Sequence, residues 1–258
     1  MSPVLVLALN SWVENLRNRF FALTLAFAGV VLYLSMLLGL LACDQEVRVL
    51  LDFGLGLIEL MGLVGAVYCA ATVVLREMET KTVYMILTRP VDRTRYLLGR
   101  FLGLMLSAGA AMLIMSAAHL MILLLKGWDF RTVYLWALLG VFLKVLVTAS
   151  LAMFLALLAT SALSALSITM ILWSLGHFLP EIRLMVRRFG SDSAAVMAPL
   201  KAVSWVIPDL QLFNLRDKLD LPAHLSSGVP AGSWLLYAGC YCAVWLAMAA
   251  VLFRRKEF

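Results

Sequence analysis

Six stretches of this chain run for about twenty residues or more with almost no charge, and runs of that length decide its solvent. A bilayer's hydrocarbon core is about 30 Å thick, and a helix rising ~1.5 Å per residue needs about 20 apolar residues to cross it. The runs are Phe20–Ala42, Phe53–Leu75, Leu97–Leu125, Val133–Thr160, Ser161–Leu179 and Trp234–Phe253. The fourth and fifth adjoin and are together too long for one span, so the boundary is placed at the small polar turn Thr160–Ser161. With 64% of residues hydrophobic and 14% charged, the chain lacks the polar surface that a soluble domain of 258 residues needs. Disordered, collagen-like and disulfide-stapled classes fall with it. The fold expected is an all-α integral membrane protein, a single transmembrane domain over residues 1–258 with six transmembrane helices.

The formal charge of +6 would suggest nucleic acid in a soluble protein, but the basic residues sit mainly between the apolar runs. With the N-terminus inside, the inner segments hold Arg17, Arg19, Arg76, Lys81, Arg89, Arg93, Arg95, Arg100, Arg254, Arg255 and Lys256. The two short outer loops hold only Arg48, Lys126 and Arg131. The positive-inside rule then places both termini in the cytoplasm. The segment after the fifth run carries Arg183, Arg187, Arg188, Lys201, Arg216 and Lys218, and is long enough for that rule to weaken.

Before the first span, Val4, Leu7, Ala8, Trp12 and Leu16 recur at helical spacing, with Glu14, Asn15 and Arg17 off the stripe. Two readings fit: an amphipathic helix in the cytoplasmic interface, which is preferred, or an extension of the first span. The opening stretch, Met1 to Asn10, lacks the basic n-region and cleavage site of a signal peptide. The outer segment, residues 180–233, contains Pro180, Pro199, Pro208, Pro222 and Pro230, so no long helix crosses it. Short helices resting at the outer interface are expected there. Cys43, Cys69, Cys240 and Cys242 show no metal-ligand spacing and are read as packing residues.

The inner connection over residues 76–96 is the dense charged stretch of the first two thirds of the chain. Val83, Met85, Ile86 and Leu87 form an apolar knob, Pro90 ends any helix, and charges of both signs flank it. A short surface helix of that kind suits docking into a groove on a soluble partner. The stretch Ile86-Leu87-Thr88-Arg89-Pro90-Val91-Asp92-Arg93, closed by Gly99-Arg100, resembles the cytoplasmic loop of ABC-2 type permeases, the membrane subunits of ATP-binding-cassette transporters. Lys81-Thr82 stands where that family often has Gly-Thr, and Arg100 where it often has Lys. The resemblance extends to six spans, cytoplasmic termini, a helical outer segment between spans five and six, and the Pro208-Asp209-Leu210-Gln211-Leu212-Phe213 stretch within it.

That resemblance implies a homodimer, or a heterodimer with a similar permease, in the cell (inner) membrane, bound beneath by two ABC ATPase subunits and open to an extracytoplasmic accessory protein. Glu77 to Leu87 would be the coupling helix, with Glu77, Glu79, Lys81, Val83, Tyr84, Ile86, Leu87, Arg89, Pro90 and Arg93 as the ATPase-coupling residues. Relatives mainly export. ATP and Mg would be held by the partner, because this chain has no GxxxxGK[ST] to cradle phosphates. Nor has it HExxH or GxSxG, so no enzymatic activity of its own is expected and no cofactor.

Three ionisable residues fall inside apolar runs: Glu59, about six residues or ~9 Å below the outer end of the second, Lys144 nearer the middle of the fourth, and His119 near the outer end of the third. Charges at such depth mark function by default. Glu59 and Lys144 either pair within the bundle, the preferred reading because intramembrane charges usually pair, or Glu59 faces a pathway and meets a substrate headgroup or cation. Gly99, Gly103 and Ser107 form a small-residue seam, read as packing within one subunit before a dimer seam. The fourteen methionines are dispersed and read as core filler, not a metal site, and His177 and His224 as solvated outer histidines. A secondary transporter or channel built on Glu59, Lys144 and His119 is the competing class, set back by the lack of an inverted repeat or a broken helix pair. An ATPase-driven transducer that moves no substrate would need the same docking loop.

Overall fold

In a computed structural model the chain is described over residues 3–17, 19–41, 45–79, 92–189, 206–216 and 231–255. Its helices are α1 (Pro3–Leu16), α2 (Arg19–Leu41), α3 (Glu46–Glu79), α4 (Arg93–Leu125), α5 (Thr132–Leu158), α6 (Ala162–His177), α7 (Leu179–Phe189) and α8 (Ala231–Arg255). A 3-10 turn, Leu210–Phe213, lies between α7 and α8. Among the described residues there is no strand. Four helices are long and apolar enough to cross a bilayer: α3 over Glu46–Thr72, α4, α5 and α8. The bent pair α6 and α7, which meet at 57°, makes a fifth if counted as one span. Among the described residues this multi-pass helical membrane protein thus has four or five candidate spans where six are expected.

The boundaries have local causes. α4 ends in a Schellman turn: Gly127 takes φ 80°, its N–H reaches Leu124 O at 3.0 Å, and Trp128 N–H reaches Leu123 O at 3.0 Å. Glycine adopts that left-handed conformation without a Cβ clash. The long apolar stretch that follows is divided by a capping box. Ser161 Oγ accepts from Ser164 N–H at 3.2 Å and Ser164 Oγ from Ser161 N–H at 3.4 Å, so α6 starts afresh after α5 ends at Leu158. At 16 residues α6 is only about 24 Å long, short of a full crossing, and the chain bends after His177.

α5 is the central helix, packed by α3, α4, α6, α8 and the 3-10 turn. Buried Gly140, Ala149, Ala152 and Ala156 let its neighbours approach closely, which is how helices associate where lipid removes the hydrophobic drive. The hydroxyls of Thr148 and Ser150 donate to carbonyls of their own helix, Lys144 at 2.8 Å and Val147 at 2.7 Å, so they bring no unpaired group into the core. The apolar core has two parts. One, built on Leu63, Val67, Phe101, Met105, Val145 and Met153, fills the end where α4 begins. The other, built on Leu50, Leu55, Leu123, Tyr134, Phe213 and Trp234, fills the opposite end.

Most of the expected stripe of α1 faces inward: Ala8 is buried and Val4, Leu7 and Trp12 are half-buried, with Glu14 and Arg17 exposed, and the departures are Asn15, which is buried, and Leu16, which is exposed. The helix lies on the start of α4, where a Cβ at Gly99 would stand 2.7 Å from Leu7 Cβ and one at Gly103 2.5 Å from Ala8 O. Gly99 and Gly103 therefore seat α1, and buried Ser107 donates back to Gly103 O at 2.9 Å. Glu14 pairs with Arg100 at the border of this contact.

Candidate functional site

α3 begins seven residues before the second apolar run, so Glu59, six residues past Phe53, is thirteen residues or ~20 Å along the helix. Lys144, twelve residues into α5, which runs parallel to α3, comes to the same level. Lys144 Nζ donates to both carboxylate oxygens of Glu59, at 3.1 and 3.0 Å. The two side chains are 2% and 3% exposed. They sit between the two apolar cores, where Leu57 and Val145 belong to one and Leu55 and Leu143 to the other.

Two further groups join this pair. His177, the last residue of α6, places Nε2 3.0 Å from Glu59 Oε1 and 3.3 Å from Lys144 Nζ. Arg216 Nη2 donates to Glu59 Oε2 at 2.6 Å, with its guanidinium lying over Gly56 one turn earlier on α3. Neither stands out in the sequence as a site residue: His177 reads as a lone solvated histidine and Arg216 as a loop charge. A signal existed for His177, since it stands just before Pro180, where a helix must break and its terminal carbonyls need donors. The absence of a broken helix pair, held against the carrier reading, is corrected by the bend after His177.

Arg216 is held at this depth by a strap, residues 206–216, which enters the bundle and does not rest on its outer face. Ile207, Pro208, Asp209 and Leu210 are buried. Pro208 O would stand 2.9 Å from a Cβ at Gly176, and a Cβ at Gly140 would collide with Phe213 O, so glycine on α6 and α5 is what admits the strap. Asp209 accepts from Arg183 of α7 at 2.7 Å, and its N–H donates to Tyr237 OH of α8 at 2.7 Å. The expected surface helices over Ala194–Ile207 fall mostly outside the described residues.

His119 belongs elsewhere. It is fully buried, with Nδ1 2.9 Å from Tyr134 OH and Nε2 3.1 Å from Leu50 O. Because a carbonyl only accepts, Nε2 carries the proton and Nδ1 accepts from the tyrosine, which satisfies a neutral ring. His119 fills the space over Gly54, where a Cβ would collide with the ring.

Of the expected coupling residues, Glu77 and Glu79 lie on the last turn of α3, not on a separate short helix. Lys81, Val83, Tyr84, Ile86, Leu87, Arg89 and Pro90 lie outside the described residues. Arg93 opens α4 and turns to the last helix: its Nη1 donates to Phe253 O and Arg254 O, both at 3.2 Å, supplying donors to the end of α8. Beside it Asp92 Oδ2 accepts from Thr94 Oγ1 at 2.6 Å and pairs with Arg254 Nη2 at 3.5 Å. The Thr94 hydroxyl, and secondarily Arg254, hold the exposed Asp92 carboxyl below its ordinary range.

The sequence profile of a family described as "ABC-2 family transporter protein" matches residues 47–251, from the first turn of α3 into α8. The match takes in the charged cluster, the strap and the inner loop. No curated protein matches the chain.

Proposed function

The chain belongs to the ABC-2 transporter family, and from that premise we propose that it acts as the membrane half of an exporter driven by a separate ABC ATPase. A permease of an ABC transporter is what the family supports, and an ABC ATPase is the partner it implies in general. Export, coupling and assembly are our reading. Glu77 to Leu87 docks into the ATPase, two permease copies or homologues form the pathway, and ATP with Mg stays on the partner. We count six spans, with α2 as the first and the bent α6 and α7 as the fifth, in the inner membrane with both termini cytoplasmic.

The observation that carries coupling is continuity. Glu77 and Glu79 end α3, and the chain re-emerges at Arg93, which is bonded to the end of α8. A push on the loop between them would therefore reach α3, α4 and α8 together, the rigid elements a docked partner needs in order to bias a two-state bundle. The test is co-expression and co-purification with a candidate ABC ATPase, for the native chain and for one carrying Glu77→Lys, Glu79→Lys and Leu87→Asp. Complex formation and membrane-dependent ATP hydrolysis are expected from the native chain and not from the variant. A native chain that binds no ATPase would overturn the reading.

A further inference from the structure

The cluster around Glu59 does not balance its charge. Glu59 brings one negative charge, Lys144 and Arg216 one positive charge each, so one positive charge is in surplus before His177 is counted. Among the described residues no second carboxylate pairs with Lys144 or Arg216. His177 brings Nδ1 to 3.2 Å from the Trp173 carbonyl and Nε2 to 3.0 Å from Glu59 Oε1 and 3.3 Å from Lys144 Nζ, and adds no negative charge that would offset the surplus.

A second observation is independent of the count. Arg216 Nε is buried with no hydrogen-bond partner, although Nη2 of the same guanidinium is used by Glu59. A guanidinium binds oxyanions best through two adjacent N–H groups, and a buried donor left unmade is costly. Surplus charge inside a bilayer is more costly still. An oxyanion answers both demands, because it supplies the missing acceptor and the missing negative charge together.

We propose that Arg216, Lys144 and His177 form a subsite for an oxyanionic group of the phosphate type, with Glu59 as its built-in competitor. His177 and Arg216 are 24% and 27% exposed against 3% for Glu59, so the group enters on their side of the cluster and meets the strap's arginine first. A phospholipid headgroup and a free phosphate present the same chemistry. The inference deepens the permease reading and rests on it for the movement of the group, but binding itself needs only this chain.

The test uses the purified full-length chain in neutral detergent, without ATPase, and follows its thermal unfolding midpoint. The probes are inorganic phosphate, dodecyl phosphate, and sodium chloride at matched ionic strength. Both phosphate probes are expected to raise the midpoint saturably, and chloride is not. Saturation by dodecyl phosphate at lower concentration identifies a lipid source; equal potency identifies the free group. Glu59→Gln, which removes the competitor, should bind phosphate about tenfold more tightly, and Arg216→Gln about tenfold more weakly. Arg216→Lys keeps the charge but not the fork and should fall between native and Gln, which preserves the test if Arg216→Gln does not fold. Equal responses to phosphate and chloride in the native chain and in Glu59→Gln would overturn the proposal, as would a native response in both Arg216 variants. Since no ATPase is present, that failure would leave the permease reading standing, and a failed co-purification would leave this one.

Discussion

Two polar sites lie in the same helices and answer burial in opposite ways. At one, His119 on α4 is neutral and closed: each ring nitrogen has a partner, a tyrosine on α5 or a carbonyl on α3. At the other, Glu59 on α3 is charged and open: Lys144, His177 and Arg216 share one carboxylate, and a guanidinium N–H is left over. A closed neutral site costs the bundle little and fixes how helices meet, whereas a charged site with surplus is hard to account for by packing alone. What separates the two is the hydrogen-bonding capacity left unfilled at the charged site.

The largest effect that would break this comparison is at Glu59. Glu59→Gln strands Lys144 and Arg216 without their carboxylate and should destabilise the chain by about 3–5 kcal/mol, the usual cost of breaking a buried pair. Adding Lys144→Met should restore much of that loss, measured by unfolding in detergent with a double-mutant cycle. Additive losses in the double variant would mean the pair is not coupled. His119→Leu is expected to cost less, about 1–3 kcal/mol, because Leu50 O loses its donor while the Tyr134 hydroxyl can turn its proton to Ser116 O at 3.3 Å. It should leave ATPase coupling unchanged, and a coupling defect without loss of stability would place His119 in the functional site after all.

Smaller again is release of the strap. Arg183→Ala removes a partly exposed partner of Asp209 and should cost about 1 kcal/mol or less, since Tyr237 and the glycine contacts still hold the segment. Faster backbone hydrogen exchange over residues 206–216 with little change elsewhere is the expected readout. The smallest effect concerns Asp92. Its folded carboxyl titrates below its unfolded value, so its contribution is present above the unfolded value and is lost as pH falls through the lower folded one. Protection against exchange at the end of α8, corrected for the pH dependence of the intrinsic rate, should therefore be constant above the ordinary carboxylate range and fall in more acid solution. In Asp92→Asn that acid step should be missing.

The helices were legible because bilayer thickness dictates the length of an apolar run, and because Thr160–Ser161 marks where a long run must divide. Glu59 and Lys144 were legible because charge in such runs is rare. What escaped was long-range. Arg216 is 157 positions from Glu59 and lies in a proline-rich stretch whose entry into the bundle depends on small residues at Gly140 and Gly176, on other helices. α1 departed from its stripe only at the last turn, because apolarity alone cannot say which side of a membrane helix meets lipid; there Asn15 points inward and Leu16 outward. The α2 to α3 connection and the docking loop carry no such lesson, since residues 42–44 and 80–91 lie outside the description.

That the charged cluster serves a moving ligand and is not mere packing is tested most directly by neutralising it whole. Glu59→Gln, Lys144→Met and Arg216→Gln together leave no unpaired charge, so the variant should fold and co-purify with its ATPase as the native chain does. ATP hydrolysis by that complex should lose its stimulation by phosphate-bearing lipid or dodecyl phosphate. A neutral variant that retains full stimulation would contradict the claim and return the cluster to a structural role.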